Sequence, residues 1–538
     1  MRIVAITRAS TPRITGNLLL VMVLGGFAGC GPGGQGDPPS AAAAEPAVGV
    51  DTLRVDAAEA ERLAGEARAS LDVELASGLE LELWAPEPLL TDPIALTVDD
   101  AGAVYVTGSS RSGMLLDIRG HPTWTTPALS FETVEDMRAF YHRELAPERS
   151  ADNAEWLEDL NGDGSHDWRD LAVSTERVYR IRDTSGDGRA DVSEVVVEGF
   201  NTEVSDVAGG IAVHNGDIYV AAAPDLWRLR DVSGDGAVDS MQVLSHGYSV
   251  HPGFFGHGMS GVTLGPDGRI WWSVGDIGFT VVDSEGERWP SPTKGAILRA
   301  ELDGSGFEVF ATGLRNTHEF VFDEYGNVIS VDNDGDHQGE TERVVYIVEG
   351  SDSGWRLNWQ IGKYTDADNN DYNVWMEEGL FRPRFAGQAA YLLPPIAAYH
   401  AGPTGMVYNP GTALNEEWRG HFLVASFTGT PVRSMVNAFQ LEERGAGFTL
   451  ARDTVLLSGV LTTGLEFGPD GALYLADWVE GWGSTGSGRV WKLDDPAVAG
   501  SELRAETQAL LADAFDDHSE DDLAALLAHA DMRVRVKA

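Results

Sequence analysis

The sequence predicts an all-β fold, a six-bladed β-propeller, with a short α-helical region after it. Three observations carry this expectation. One hairpin pattern recurs six times: an apolar strand, an Asp/Asn-Gly turn, then a second strand of aromatic and β-branched residues. The copies are spaced as blades are, at about 40–50 residues or more. Glycine reaches 63 of 538 residues, which suits a fold made of tight turns.

The elements follow in order. Arg2, Arg8 and Arg13 form a basic start, and an apolar run from Leu18 to Phe27 follows. The run is too short to span a bilayer and ends in small residues, so residues 1–30 read as a cleaved signal. Phe27-Ala28-Gly29-Cys30 resembles the lipobox of bacterial lipoproteins, where the cysteine becomes the lipidated first residue. Gly31 follows where an inner-membrane retention signal has Asp. The expected place is therefore the cell envelope, lipid-anchored to the membrane, at the periplasmic face of the outer membrane or the cell surface. An ordinary secretory signal is the plainer alternative. Residues 31–74 read as a flexible tether, rich in Gly, Pro and Ala over 31–50, followed by a short acidic helix over 55–70.

The six copies lie at 94–108, 210–222, 261–276, 320–334, 405–427 and 464–478, within a propeller of residues 75–497. The largest insertion falls around 109–160. A β-sandwich is the competing fold, but it rarely repeats one hairpin so literally. Over 503–538 Leu and Ala take helical spacing, and L-x-x-L-L-x-H-x-D-x-x-V-R resembles the start of a HEAT-type repeat. One such repeat cannot bury its own face, so the native chain is expected to continue.

Composition excludes several functions. With 84 acidic and 38 basic residues the formal charge is −46, unsuited to gripping nucleic acid through its phosphates. A hydrophobic fraction of 43% with 15 Trp and 19 Phe excludes wholesale disorder. Cys30 is the single cysteine, so this sequence has no intrachain disulfide, no Cys-based zinc or iron–sulfur site and no c-type haem attachment.

Three acidic loops have the spacing of a calcium loop. The first offers Asp159, Asn161, Asp163, Asp167 and Asp170; the second Asp183, Ser185, Asp187, Asp191 and Glu194; the third Asp231, Ser233, Asp235 and Asp239, with Gln242 twelfth. Oxygen ligands at positions 1, 3, 5 and 9 with Gly at 6 form the EF-hand type of loop. Strands flank the second and third, so these read as hairpin loops on consecutive blades and calcium as a structural ion. Solvated acidic turns are the alternative. A fourth cluster, Asp332-Asn333-Asp334-Gly335-Asp336-His337, lacks the full spacing; it reads either as a metal site through Asp332 and Asp334 or as a plain turn.

His251, His257, His318, His337 and His400 lie near strand ends, where propellers place binding residues. Histidine is the natural base near neutral pH. His257-Gly-Met-Ser-Gly261, Leu264-Gly-Pro-Asp-Gly-Arg-Ile-Trp-Trp-Ser-Val-Gly-Asp276, Gly313-Leu-Arg315-Asn316, Gly354-Trp355 and Gly402-Pro-Thr-Gly405 follow in order. This succession resembles the six-bladed quinoprotein dehydrogenases of the soluble glucose and sorbosone type. The resemblance implies His257 as the base that removes a hydroxyl proton, and Arg315 with Asn316 as contacts to pyrroloquinoline quinone. ELDGSG (301–306), GLRN (313–316), DNDGDH (332–337), LPPIAAYH (393–400) and DWVEGW (477–482) resemble the PVC-type membrane-bound dehydrogenase family. Members of that family often continue into HEAT repeats and a cytochrome c domain.

Departures from the pattern weaken the quinone expectation. Where the quinoprotein enzymes place a Lys and two Arg against the quinone carboxylates stand Thr428, Leu461 and Thr463, and Gly256 replaces an Asp before His257. Each lost charge-assisted hydrogen bond is worth about 1.5–3 kcal/mol. Arg356, Lys363 and Arg433 are the candidate substitutes. Three functions follow. The first is a dehydrogenase oxidising a small carbohydrate or alcohol and passing electrons to a cytochrome c, with calcium as Lewis acid. The second is a non-redox propeller that binds or hydrolyses a carbohydrate or lactone, with Asp332, Asn333, Asp334 or His400 on a metal. The third is a surface binding scaffold.

Overall fold

The computed structural model describes residues 46–111, 116–253, 256–333, 335, 341–357, 382, 384–388 and 392–538. Its strands form six antiparallel sheets around one axis. β1 (Ala47–Arg54), β2 (Glu74–Leu75) and β3 (Glu80–Ala85) precede the first blade and complete others. Blade 1 holds β4 (Pro93–Val98), β5 (Val104–Ser109), β6 (Glu176–Arg182) and β7 (Val192–Gly199), with β1 outside β7. Blade 2 holds β8 (Ala208–His214), β9 (Asp217–Ala222), β10 (Asp225–Arg230) and β11 (Ser240–His246). Blade 3 holds β12 (Met259–Leu264) and β13 (Ile270–Val274); a separate hairpin of β14 (Phe279–Val282) and β15 (Arg288–Ser291) then precedes β16 (Gly295–Ala300) and β17 (Glu308–Leu314). Blade 4 holds β18 (Phe320–Phe322), β19 (Val328–Asp332), β20 (Glu342–Ile347) and β21 (Ala397–Tyr399). Blade 5 holds β22 (Pro403–Tyr408), β23 (Phe422–Ser426), β24 (Met435–Arg444) and β25 (Gly447–Ser458), with β2 outside. Blade 6 holds β26 (Thr462–Phe467), β27 (Leu473–Asp477) and β28 (Arg489–Asp494), and β3 closes it.

The six predicted hairpins are thus the two inner strands of the six blades. Closure joins the two ends of the propeller: β3 pairs with β28 from Glu80 opposite Asp494 to Ala85 opposite Val490. A ring closed this way leaves no open sheet edge at the joint. Residues 47–54, expected to lie in the tether, form β1. The helix is where the sequence put it, α1 (Ala57–Ser70), capped by Asp56 accepting from the Glu59 amide.

The repeat has a packing cause. Gly210, Gly261, Gly405 and Gly464 each lie where an innermost strand meets the next. A Cβ would stand 2.7 Å from Gly261 N, 2.7 Å from His318 O, 2.8 Å from Leu465 N and 2.9 Å from Leu96 N respectively. The turn acids have a second cause. Asp99, Asp323 and Asp470 each accept backbone amides of their own turns, the Asx arrangement that fixes a hairpin.

The innermost strands β4, β8, β12, β18, β22 and β26 run from an upper face to a lower one. The insertion between β5 and β6 is longer than expected, reaching Thr175. It contains α2 (Thr125–Ala128), α3 (Val134–Glu144) and α4 (Ser150–Asn153) and has its own core of Trp124, Phe131, Phe140, Tyr141 and Leu157. Val204 and Val250 from the propeller join that core, so it sits on the upper face.

The last helices, α5 (Glu502–Ala512), α6 (Glu520–Leu526) and α7 (Met532–Lys537), meet the lower face. Arg504 bonds Asp470 O and pairs with Asp494. Arg533 pairs with Asp531 and donates to Phe467 O and Gly468 O, while Thr412 Oγ1 donates to Asp531. No helix among the described residues is long and apolar enough to cross a membrane.

Candidate functional site at the upper mouth of the channel

Each innermost strand starts on the upper face, so the residues just before it reach the axis. Asp206 precedes β8, His257 precedes β12 and Arg315 to His318 precede β18. The structure brings these together. Asp206 and His318 both lie within reach of the His257 charge. A Cβ on Gly256 would stand 3.9 Å from His318 Cε1.

His257 is 5% exposed, and its Nδ1 lies 3.0 Å from Asp276 Oδ1. The other oxygen of that carboxylate accepts from Trp355 Nε1 at 2.8 Å. Asp276 N donates to Arg315 O at 2.6 Å, which ties blade 3 to blade 4. Burial and the neighbouring positive charges hold the His318 imidazole down at about 4, and Asn316 Nδ2 contacts its Nε2 at 3.0 Å.

Asp332 organises the Arg315–Asn316 corner. Its carboxylate accepts from Arg315 N, Asn316 N and Thr317 Oγ1, and forms a fully buried ion pair with Arg343 at 2.6 Å. These donors fix the carboxylate against the backbone of residues 315–317, so Asp332 positions that corner. Arg315 is fully buried; its Nη1 donates to Asn333 O and Oδ1 and its guanidinium lies 5.6 Å from the Trp355 ring centre. His400 is exposed, with its Nε2 2.7 Å from an Asp453 oxygen on β25. Asp334 and His337, and likewise Cys30 and Lys363, lie outside the described residues.

The acidic loops are elsewhere. The second joins β6 to β7 and the third joins β10 to β11, as expected, and both lie at the lower ends of their blades. That placement removes calcium bound there from the chemistry at His257. Asp183 accepts from the Gly186 and Gly188 amides, and Asp231 from those of Gly234 and Gly236. All four glycines have positive φ, from 76 to 94°, a region costly for other residues. Ser185 and Ser233 hydroxyls donate to Asp183 and Asp231, and the Asp187 and Asp235 side chains accept from Arg189 N and Ala237 N. Asp191 accepts from Thr184, and Asp239 from Val232 and Ser233. The twelfth residues do not close the loops. Glu194 is held by Arg180 and Arg182, and Gln242 accepts from Arg228. The first loop belongs to the insertion. There Asp159 accepts from Asp163 N and Gly164 N, Asn161 from Asp163 N, and Asp163 pairs with Arg169. Asp170 accepts from Asn161 N and Asp167 N, and Asp167 pairs with Arg169. Among the described residues no three His, Cys, Asp or Glu side chains converge on a metal position.

Sequence reasoning missed Asp276, Trp355 and Asp206. A signal for the first was present. Asp276, Asp332 and Asp477 close the second strand of copies three, four and six, and Asp477 Oδ2 accepts from Trp491 Nε1 just as Asp276 does from Trp355. Two inward acids lower in the channel were missed too. Glu319 accepts from Met406 N and Glu466 from Phe467 N, in a cavity of about 310 Å³ closed below by Met532 and Arg533. Burial pushes Glu466 up to about 7 and Glu319 well above the usual range.

The described residues do not fit a tricarboxylate quinone. Thr428 Oγ1 bonds Ser434 Oγ, Leu461 is fully buried and Thr463 Oγ1 donates to Pro93 O. Arg111 is held by Glu176, Arg343 by Asp332 and Arg356 by Asp352, while Arg433 is exposed. The mouth instead collects acids.

Comparison with curated proteins finds no match. Several solved structures resemble the chain. One is a protein named as an oxidoreductase (glucose dehydrogenase) from Thermus thermophilus, 17% identical, covering 77% of this chain and 99% of its own, with a TM-score of 0.43. Another is the quinone-bound aldose sugar dehydrogenase of Streptomyces coelicolor, 14% identical, covering 78% and 99%, with a TM-score of 0.41. A third is the apo soluble aldose sugar dehydrogenase of Escherichia coli, 12% identical, covering 78% and 99%, with a TM-score of 0.38. A family described as a domain of unknown function, DUF7133, matches residues 66–482, and the chain belongs to that family.

Proposed function

We propose that this propeller is a dehydrogenase-type oxidoreductase that oxidises a hydroxyl group of a small sugar or related alcohol. The observation that carries the reading is the His257–Asp276–Trp355 series at the channel mouth. A carboxylate on Nδ1 holds that nitrogen as N–H and so puts the ring's lone pair on Nε2, the atom that would act as the base. As Nε2 takes the hydroxyl proton, Asp276 offsets the imidazolium charge. Trp355 fixes the carboxylate so that the ring needs no reorientation. The carbinol hydride leaves to a separately bound two-electron acceptor, a dye or an uncharged quinone. The missing cations count against pyrroloquinoline quinone itself, and no step is assigned to it.

The finer parts of the reading rest on sequence. The lipobox-like segment supports a lipid-anchored envelope protein, and the PVC-type resemblance supports a cytochrome as final acceptor. The Asx-folded loops support weak calcium binding that stiffens blades 1 and 2. The neutral later blades favour one other reading, in which the same base activates water against a lactone. The test is turnover of a sugar panel by the full chain, with an artificial acceptor and with lactones. Acceptor reduction that depends on sugar and is lost in His257→Gln supports oxidation. Lactone cleavage without acceptor reduction overturns it.

A further inference from the structure

His318 is the second histidine of the mouth, and its backbone is held firmly. It stands two residues before β18. Asp332 accepts from Asn316 N and Thr317 Oγ1, and Ser273 Oγ of blade 3 donates to Thr317 O at 2.6 Å. A Cβ on Gly261 would stand 2.7 Å from His318 O, so blade 3 packs closely against this segment.

The ring is held as well. Asn316 is buried, and its Nδ2 lies 3.0 Å from His318 Nε2. An amide nitrogen only donates, so Nε2 is the acceptor and the ring hydrogen sits on Nδ1. Among the described residues Nδ1 has no hydrogen-bond partner, and it is not sealed from solvent. The neighbouring loop leaves room beside it. Gly256 directly precedes His257, and among the described residues outside its chain neighbours a Cβ there would meet only His318 Cε1, at 3.9 Å. Cε1 is bonded to Nδ1, so the free N–H borders the loop that carries the proposed base.

Charge decides what such a ring can do. His257, Arg315 and Asp332 are the charged groups that bear on it, and burial with the two cations outweighs Asp332. The imidazole therefore stays neutral well above pH 4 and keeps one proton. A second imidazolium would oppose the cation that forms on His257, and a neutral ring does not.

We propose that His318 is a second working imidazole of this site, a preset hydrogen-bond donor to the substrate oxygen whose proton goes to His257. The inference rests on the reading of His257 as the base. As the O–H bond breaks, its proton goes to His257 Nε2, the carbinol hydride goes to the dye or uncharged quinone, and the C–O bond becomes a carbonyl. His318 gives up no proton. Its N–H meets the oxygen while negative charge builds there, and a donor fixed in advance needs no reorganisation. The Asn316 amide, which the quinoprotein resemblance assigns to a quinone, sets this tautomer.

The test measures sugar-dependent reduction of an artificial acceptor by the full chain. His318→Phe should lower kcat by about 10²–10³-fold, the loss that follows removal of one such donor. His318→Gln keeps an N–H donor and should stay within about tenfold of the wild type. The pH–rate profile should keep its shape in His318→Gln, because the ring does not titrate over the working range. Equal kcat in wild type and His318→Phe overturns the proposal, and so does a His318→Gln variant as slow as His318→Phe. An acidic limb lost in His318→Gln overturns it too, since the ring would then be the base. A second measurement needs no turnover: calorimetric binding of a sugar lactam, a carbonyl probe that resists hydrolysis. Affinity should fall at least about tenfold in His318→Phe and stay within about threefold in His257→Gln. Should His318→Phe fail to fold, His318→Leu takes its place in both assays. Lactam binding that needs His318 without sugar oxidation keeps the donor and removes the oxidation reading. Oxidation with both readouts unmoved by His318→Phe does the reverse. Neither binding nor turnover in the wild type overturns both.

Discussion

His257 and Asp276 face one another because the β12–β13 ladder requires it. Met259 pairs with Val274, and the Gly275 amide donates to Gly258 O, so the next positions outward are 257 and 276. The 3.0 Å contact between Nδ1 and Oδ1 is therefore built into a hairpin register. His257→Gln should lower kcat by about 10²–10⁴-fold with little change in polyol affinity. Asp276→Asn should lower kcat in the same direction and move the acidic limb of the pH–rate profile. Trp355→Phe should give a smaller loss, since it removes the indole N–H bond to the carboxylate but leaves Asp276 beside His257. Equal kcat in wild type and His257→Gln would remove His257 from the chemistry.

Asp332 and Arg343 are both fully buried and paired at 2.6 Å. Removing one partner leaves an uncompensated buried charge, which costs about 3–5 kcal/mol. Asp332→Ala should therefore lower Tm strongly. The pair Asp332→Asn with Arg343→Met should recover part of the loss. Thermal unfolding of the single and double variants gives the coupling, and additive losses would contradict it.

The blades were legible because their cause is local and repeated. A glycine where inner strands touch recurs in four copies and an Asp that caps the turn in four, so the period shows. His257 was legible through its surrounding motif, but its partners were not. Trp355 lies 98 positions from His257 in the chain and meets it through Asp276, a relation that no spacing encodes. The second and third acidic loops were read correctly as hairpin connections on consecutive blades. The partners of Glu194 were not legible, because its two arginines stand beside it on the sheet and not in its loop. β1 escaped notice because an outer strand exposed along nearly its whole length buries no face, so its apolar residues mark no core side.

Glu466 sets a pH dependence of stability. In the fold it keeps its proton up to about pH 7, against an ordinary value of 4.5, because burial penalises the charge. The folded protein binds that proton more tightly than the unfolded chain, so the contribution is complete below about pH 4.5 and lost as pH rises through 7. Glu466→Gln should match the wild type near pH 4.5 and exceed it by about 3 kcal/mol at pH 8. Denaturant titrations at the two pH values check this, and a difference that grows toward acid would refute the sign.

Calcium should act on stability alone. With Glu194 engaged by arginines, loops of this type fall in a weak class, with Kd of about 10⁻⁴–10⁻³ M. Millimolar calcium should raise Tm by a few degrees, and Asp183→Ala with Asp231→Ala should abolish that rise while kcat stays unchanged. Both loops lie at the lower face, whereas His257 lies at the upper mouth. Loss of turnover on chelation at a temperature where the fold survives would show a metal in the chemistry instead.

A buried ion pair anchors the last helix at the lower mouth. Asp531 is fully buried, and Arg533 lies 2.9 Å from it while donating to Phe467 O and Gly468 O. Burial raises the cost of the Asp531 charge, and Arg533, Thr412 and the Arg533 amide more than offset it, holding the carboxyl below its ordinary value. Arg533→Ala removes the main counter-charge together with two carbonyl contacts, a loss of about 3–5 kcal/mol localised to the docked helices. The expected outcome is faster proteolysis and hydrogen exchange over 503–538, with the blades protected as before. Asp531→Asn should do less, because the amide still accepts from Thr412. Uniformly faster exchange across all six blades would mean that the C-terminal helices are an integral part of the propeller and do not open separately.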